Sequence, residues 1–382
     1  MTRFGFRNFG HAPDYILLGV VLLLLVGGML FLSSASSDIG KIKHDDSLYF
    51  VKNQIYKGLV PGAVGFLLGY LVYYRKWRKF AWVALGANII LLVLVFTPLG
   101  LAANGASRWI SFGGFSFQPS ELLKITFILY VASLFSSARL RQKKGWTSYW
   151  LFAGVSAVVG LLILFQPATT MIAIVIGAGA VAYFYSGAPF RQFLVTGVLA
   201  VVLVAFLALV TPYRLNRIAP FWNSFTSQYA PSLSIDGGSY DQFHLNQSLI
   251  AIGTGGVWGV GFGKSTSKFS VLPEPMGDSI FSVIAEEVGF VGSVVTLCLY
   301  ILLFWRGTVI ARRSHDDFGR LVVVGFSSVF AIQAIIHIAA NSGLAPFTGV
   351  PLPLVSYGGT SLAVSLTMLG ILANISRHTT KK

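Results

Sequence analysis

The sequence predicts an all-α polytopic membrane protein: ten transmembrane helices, both termini cytoplasmic, and one large extracytoplasmic loop between helices 7 and 8. Three observations carry that expectation. Of 382 residues, 55% are hydrophobic and 11% charged, against roughly 25% charged in soluble domains. Ten apolar runs have the length that crosses a bilayer, about 20 residues each. The basic residues gather on one side of those runs.

The runs are 14–35, 58–74, 80–99, 120–136, 149–165, 168–186, 192–211, 280–305, 321–340 and 360–376, and they make residues 1–382 a single integral membrane domain. The first is too long for a signal-peptide core and has no A-x-A cleavage site, so it reads as a retained span. Loops 37–57, 100–119, 212–279 and 341–359 alternate with short basic segments. Within 212–279, the stretch LIAIGTGGVWGVGFG (249–263) is apolar but interrupted by glycines, which reads as a re-entrant or interfacial segment. No internal repeat and no inverted pair of broken helices of the transporter type is visible.

Charge orients the chain. With the N-terminus inside, 18 of the 28 Lys and Arg residues fall on the inner side, and only Asp14, Asp316 and Asp317 of the 13 acids join them. The net charge of +15 is therefore all positive-inside bias and leaves no nucleic-acid footprint. No G-x-x-x-x-G-K-[ST] loop occurs, which argues against a nucleotide-driven pump. The single Cys298 rules out an intrachain disulfide and a cysteine metal cluster.

Chemistry therefore belongs to the outer loops. The block LPEPMGDSIFSVIAEE (272–287) concentrates Glu274, Asp278, Glu286 and Glu287, and acids at the edge of or inside a bilayer mark a site by default. Asp278 stands just before an apolar helix in a turn shaped by Pro273, Pro275 and Gly277. It reads equally as a helix cap and as a general base. Glu286 and Glu287 lie roughly 12 Å further down that helix and read first as a buried pair seeking polar partners. Glu121 and Lys124, at i and i+3 after Gln118-Pro119-Ser120, form either a self-compensating bridge or a releasable cation. Arg108, Arg214, Arg217, Lys264 and Lys268 are outer cations that anchor spans or bind a diphosphate. Ser356 opens SYGGT before the last span and offers further donors. His337, alone in the ninth span, reads as a packing residue. No metal-ligand spacing is readable, so no cofactor is expected; a Mg2+ or Mn2+ ion bridging a diphosphate and a carboxylate stays compatible.

Several segments together resemble the SEDS family (shape, elongation, division and sporulation), the FtsW/RodA peptidoglycan glycosyltransferases. They are GASRWI (105–110), FQPSELLK (117–124), YRLNRI (213–218), QSLIAIGTGGVWGVGFGKS (247–265), LPEPMGDSIFSVIAEEVGF (272–290) and GVPLPLVSYGGTSL (349–362). They stand in the family's order, and the dense first and fifth segments look more like the FtsW branch. The resemblance implies a multi-pass protein of the bacterial cytoplasmic membrane that polymerises lipid II onto an undecaprenyl-diphosphate-linked glycan. It implies Asp278 as the base, with Arg108, Gln118, Glu121 and Lys124 lining the cavity. It further implies Arg214, Arg217, Gln247, Lys264, Lys268, Glu274 and Ser356 as substrate contacts. The implied partners are a class B penicillin-binding protein transpeptidase and other divisome or elongasome proteins.

The chain departs from the family where Q-P-D-x-G-[TS] is usual: it has Gln166-Pro167-Ala168-Thr169-Thr170, without the acid. Phe243 to Ser248 replace the usual Y-Q-x-x-Q-S, and His337 stands where asparagine is common. A lipid II flippase and an inactive scaffold that activates the transpeptidase are the competing expectations. The clustering of polar groups near the outer face argues against the first, and Ala168 is the feature favouring the second.

Overall fold

A computed structural model describes residues 10–380, apart from 104–105, 113–114, 138–144, 167, 200–239 and 270–271. Helix α1 (Tyr15–His44) begins at Asp14, whose carboxylate accepts the Leu17 amide at 2.9 Å and pairs with Arg306. It outruns the expected end at residue 35 and stops at Asp45, which sits in the left-handed region (φ 52°) and caps the Gly40 and Lys41 carbonyls. The expected loop 37–57 is thus largely helical. It continues through α2 (Tyr49–Gln54), a π turn (Ile55–Leu59) and α3 (Val60–Leu71). Pro61 has no N–H for an ordinary helical bond, and the wider turn, in which Val60 N–H reaches the Ile55 carbonyl, accommodates it.

After α4 (Arg75–Leu94) the all-α expectation fails locally. Strands β1 (Gly100–Ala103), β2 (Ala106–Phe112) and β3 (Phe115–Phe117) form an antiparallel sheet in that order. Ile110 faces Gly100 on one side and Phe117 on the other. The physical reason is the run of strand-favouring residues Trp109, Ile110 and Phe112, bounded in sequence by Gly105 and by Gly113-Gly114, which suits short strands joined by turns.

Helices α5 (Pro119–Phe135), α6 (Trp146–Phe165) and α7 (Thr169–Tyr185) match their expected spans to within three residues. Of the seventh span, α8 (Phe190–Leu199) is described and the rest lies outside the described residues. The 212–279 segment carries α9 (Tyr240–Gly255) where an irregular loop was expected. Helices α10 (Ile280–Arg313), α11 (Asp317–Asn341) and α12 (Gly359–Ser376) complete the chain. Among the described residues, α1, α4, α6, α10, α11 and α12 are long and apolar enough to cross a membrane.

Helices α11 and α12 form the centre: 72% and 78% of their span-length windows are buried, against 22% for α4 and α10. Helix α12 lies against α3 so closely that a Cβ on Gly69 would come within 2.8 Å of the Ile371 nitrogen. Small residues let membrane helices approach in this way. At the N-terminal end of α11, Asp316 caps the helix through Gly319 N (3.0 Å) and accepts Arg75 Nε (2.8 Å) and Tyr74 OH (3.0 Å). Burial, with the Asp316 charge adding to it, holds the Tyr74 hydroxyl well above its usual pKa.

Candidate active site

The turn before α10 is built from the residues that the sequence concentrates there. Glu274 adopts φ 44°, and its carbonyl accepts Gly277 N (3.0 Å) and Ser279 N (3.3 Å). The N-cap position of α10 falls on Ser279, not on Asp278. Ser279 Oγ donates to the Pro273 carbonyl at 2.8 Å, so the contact at 3.2 Å from His244 Nε2 is a ring N–H given to that hydroxyl. His244, from α9, is buried and packs on Phe347 with ring centroids 3.8 Å apart. Burial pushes its pKa down to about 4.

The loop between α11 and α12 grips the turn from the other side. Ser356 Oγ donates to the Gly277 carbonyl (2.7 Å) and accepts Leu352 N (2.8 Å), while Tyr357 N reaches the Met276 carbonyl (2.8 Å). Gln54 of α2 brackets the same loop, giving Nε2 to the Ser356 carbonyl (3.3 Å) and accepting Gly358 N (3.0 Å). Asn341 Nδ2 holds the Asp278 carbonyl at 2.9 Å. Asp278 is half-buried, with its carboxylate over Gly349. A partly exposed acid in a turn fixed from three directions is placed to accept a proton from a bound hydroxyl.

The deeper acids are committed elsewhere. Glu286 accepts Ser265 Oγ (2.6 Å), Thr266 N (3.0 Å) and Ser267 N (3.3 Å). Glu287 pairs with Lys268 (3.0 Å) and accepts Ser34 Oγ (2.5 Å). Both are buried, as is Lys268. Helix α10 breaks at Gly289 (φ 68°), and the freed backbone groups are met by the glycine-interrupted segment. Val260 N and Gly261 N donate to the Glu286 and Glu287 carbonyls, and Phe290 N and Val291 N donate to the Gly256 and Val257 carbonyls. This is irregular backbone covered by protein, which a bilayer requires. On α5, Lys124 Nζ lies 2.7 Å from Glu121 Oε2 with both side chains buried, and Gln118 Nε2 donates to Ser120 Oγ at 2.9 Å. On β2, Arg108 Nε donates to the Gln166 carbonyl at 2.9 Å, and Gln166 Nε2 to the Leu92 carbonyl at 3.1 Å.

The model of the cell cycle protein family FTSW_RODA_SPOVE matches residues 15–381. The chain belongs to the FtsW/RodA family. Stage V sporulation protein E of Bacillus subtilis (strain 168) is 36% identical over 369 residues, covering 96% of this chain and 98% of that protein. The probable peptidoglycan glycosyltransferase FtsW of Trichlorobacter lovleyi is 37% identical over 368 residues, covering 95% and 93%. Among solved structures, Thermus thermophilus rod shape determining protein RodA superposes with a TM-score of 0.68 at 29% identity, over 97% of this chain and 99% of that one. A chain of a peptidoglycan synthase complex, solved for the coordination of polymerization and crosslinking, gives a TM-score of 0.78 at 27% identity, over 96% and 98%.

Within this FtsW/RodA chain, Asp278, Glu274 and Ser356 meet in one cluster. Ser356, expected as a donor to substrate, instead spends its hydroxyl on the turn, and Lys268, expected as an outer cation, is taken up by Glu287. Lys264 is exposed and Gln247 half-buried on α9. Arg214 and Arg217 lie outside the described residues. Sequence reasoning passed over Gln54, His244, Gln333 and Asn341. The last two had a signal: with His337 they repeat every four residues along an apolar span.

Proposed function

We propose that this chain polymerises lipid II at the outer face of the bacterial cytoplasmic membrane, in septal synthesis during division. It is a peptidoglycan glycosyltransferase, as its curated relatives are named. One observation carries the mechanism: the half-buried Asp278 carboxylate in a rigid turn at the mouth of a membrane helix.

Asp278 takes the proton from the 4-hydroxyl of the lipid II sugar. That oxygen attacks the anomeric carbon of the glycan held on undecaprenyl diphosphate from the face opposite the leaving group. The bond from that carbon to the diphosphate oxygen breaks, the lipid diphosphate departs, and the configuration inverts. Arg108, Arg214, Arg217 and Lys264 are suited to the diphosphate charge; Glu121 and Lys124 line the cavity with Gln118 and Gln247. Glu274, Ser356 and Lys268 keep the turn and its neighbouring loop in shape. No group of three or more metal-ligating side chains occurs among the described residues. A Mg2+ or Mn2+ ion bound with the substrate would therefore draw most of its oxygens from the diphosphate and water.

Ten spans with cytoplasmic termini complete the reading: α2–α3, α5, α7 and the α8 region join the six long apolar helices. A class B penicillin-binding protein is the partner, supported by the similarity to a chain of a peptidoglycan synthase complex, within a larger divisome.

The test is glycan synthesis from purified lipid II by the chain co-purified with its transpeptidase. Polymer from the wild type and none from Asp278→Ala is the expected outcome. A silent wild type that scrambles lipid II across liposomes would instead establish a flippase.

A further inference from the structure

Helix α11 carries Gln333, His337 and Asn341 at four-residue intervals, all buried. Each gives a proton to a main-chain carbonyl of the outer loops. Gln333 Nε2 reaches the Pro351 carbonyl at 2.7 Å, His337 Nδ1 the Val350 carbonyl at 2.7 Å, and Asn341 Nδ2 the Asp278 carbonyl at 2.9 Å. The geometry fixes the polarity of the last two. The Asp278 and His337 carbonyls, 2.9 and 3.0 Å from the Asn341 nitrogen, can only accept, so the amide N–H groups face them and Oδ1 takes the Ser282 hydroxyl at 2.9 Å. A carbonyl only accepts, so Nδ1 of His337 carries the ring hydrogen, and Nε2 finds no partner among the described residues. The polarity of this histidine serves Val350.

The two carbonyls at the outer end of this ladder flank one carboxylate. Asn341 holds the main chain of Asp278. Val350 follows Gly349, where a Cβ would stand 3.1 Å from Asp278 Oδ2, tighter than nine in ten such contacts, so the carboxylate would have to give way by a few tenths of an ångström. The ladder therefore sets both the base and the floor beneath it. Three polar side chains in a central span would be costly to bury unsatisfied, and here their hydrogen bonds converge on the surroundings of one side chain.

We propose that Gln333, His337 and Asn341 form a positioning ladder that fixes the Asp278 carboxylate for proton transfer, with Gly349 kept small to leave it room. The inference rests on Asp278 being the base. Misplacing a reacting group by about 1 Å costs on the order of a hundredfold in rate, so the ladder belongs to kcat rather than to substrate affinity.

The test is steady-state polymerisation of lipid II by the chain co-purified with its transpeptidase, on fractions that elute as a single species. Asn341→Leu and His337→Leu are expected to lower kcat by roughly ten- to a hundredfold, with KM for lipid II within about twofold of wild type. Gly349→Ala, which leaves every rung in place, is expected to lower kcat in the same way. His337→Asn puts an amide N–H close to where Nδ1 stands, and should recover most of what His337→Leu loses. A kcat at the wild-type level in the two leucine variants overturns the ladder. So does a rise in KM alone, or a His337→Asn protein as slow as His337→Leu. Asp278→Ala in the same assay separates the two claims. If it polymerises normally, the assignment of the base falls; if it is inactive while the leucine variants are unimpaired, only the ladder falls.

Discussion

Lys124 has no exposed side-chain surface and sits 2.7 Å from Glu121, one turn earlier on α5. Removing one member of such a pair strands the other charge, at about 3–5 kcal/mol. Lys124→Ala and Glu121→Gln should each lower the thermal stability of the detergent-solubilised protein. The double variant Glu121→Gln/Lys124→Met is expected to regain that stability, as read by size-exclusion chromatography after heating. If the pair also faces substrate, the double variant stays impaired in lipid II polymerisation; parallel recovery of stability and activity would make the pair structural only. His244 gives a pH effect of definite sign. Its folded pKa of about 4 lies below the ordinary 6.5, so the neutral ring's support of the turn is whole above pH 6.5. That support is lost as pH falls toward about 4, because protonation then favours the detached state. The protection factors of the turn amides, taken against the intrinsic exchange rate at each pH, should fall across that window in the wild type and stay flat in His244→Phe.

At the scale of elements, the sequence made most helices legible, because each long apolar run has only one way to satisfy its backbone in lipid. It missed what depended on partners. The sheet at 100–117 was read as loop because its strands are short and separated by glycines, although Trp109, Ile110 and Phe112 favour a strand. The helical continuation of α1 to His44 has polar residues and no apolar run to announce it. The break in α10 was invisible because Gly289 lies inside one span-length run, 280–305, where a lone glycine among others is ordinary, and only the facing segment 256–261 explains it. The turn that carries Asp278 was legible from its company of Pro and Gly, whereas the contacts of Lys268 and Ser356 turned on distances that no spacing supplies. The break makes its own prediction. A Cβ on Gly289 would come within 2.5 Å of the Val257 carbonyl, at a positive φ. Gly289→Ala is therefore expected to destabilise by about 3 kcal/mol or more, measured as loss of monodisperse protein after mild heating. An equally stable variant would show that the backbone pairing is dispensable.

For the whole molecule, the charge bias and the proposed ten-span path make a prediction about the side of every loop. In a Cys298→Ser background, Asp45→Cys should react with a membrane-impermeant maleimide in intact spheroplasts, and Lys79→Cys only after permeabilisation. The opposite pattern would invert the orientation. The break at Gly289 matters at this scale as well. Main-chain bonds to the 256–261 segment hold both sides of the break, the Glu286 and Glu287 carbonyls before it and the Phe290 and Val291 amides after it, while little of the longer remainder is buried. Bilayers differ in thickness, and spanning helices answer by tilting. A straight α10 would hand that tilt to its tip unchecked; a helix broken at Gly289 and spliced there to a neighbouring segment has a buttress at the bend. The stub that follows Asp278 thus keeps its place beside 256–261 when the membrane around the longer part changes depth.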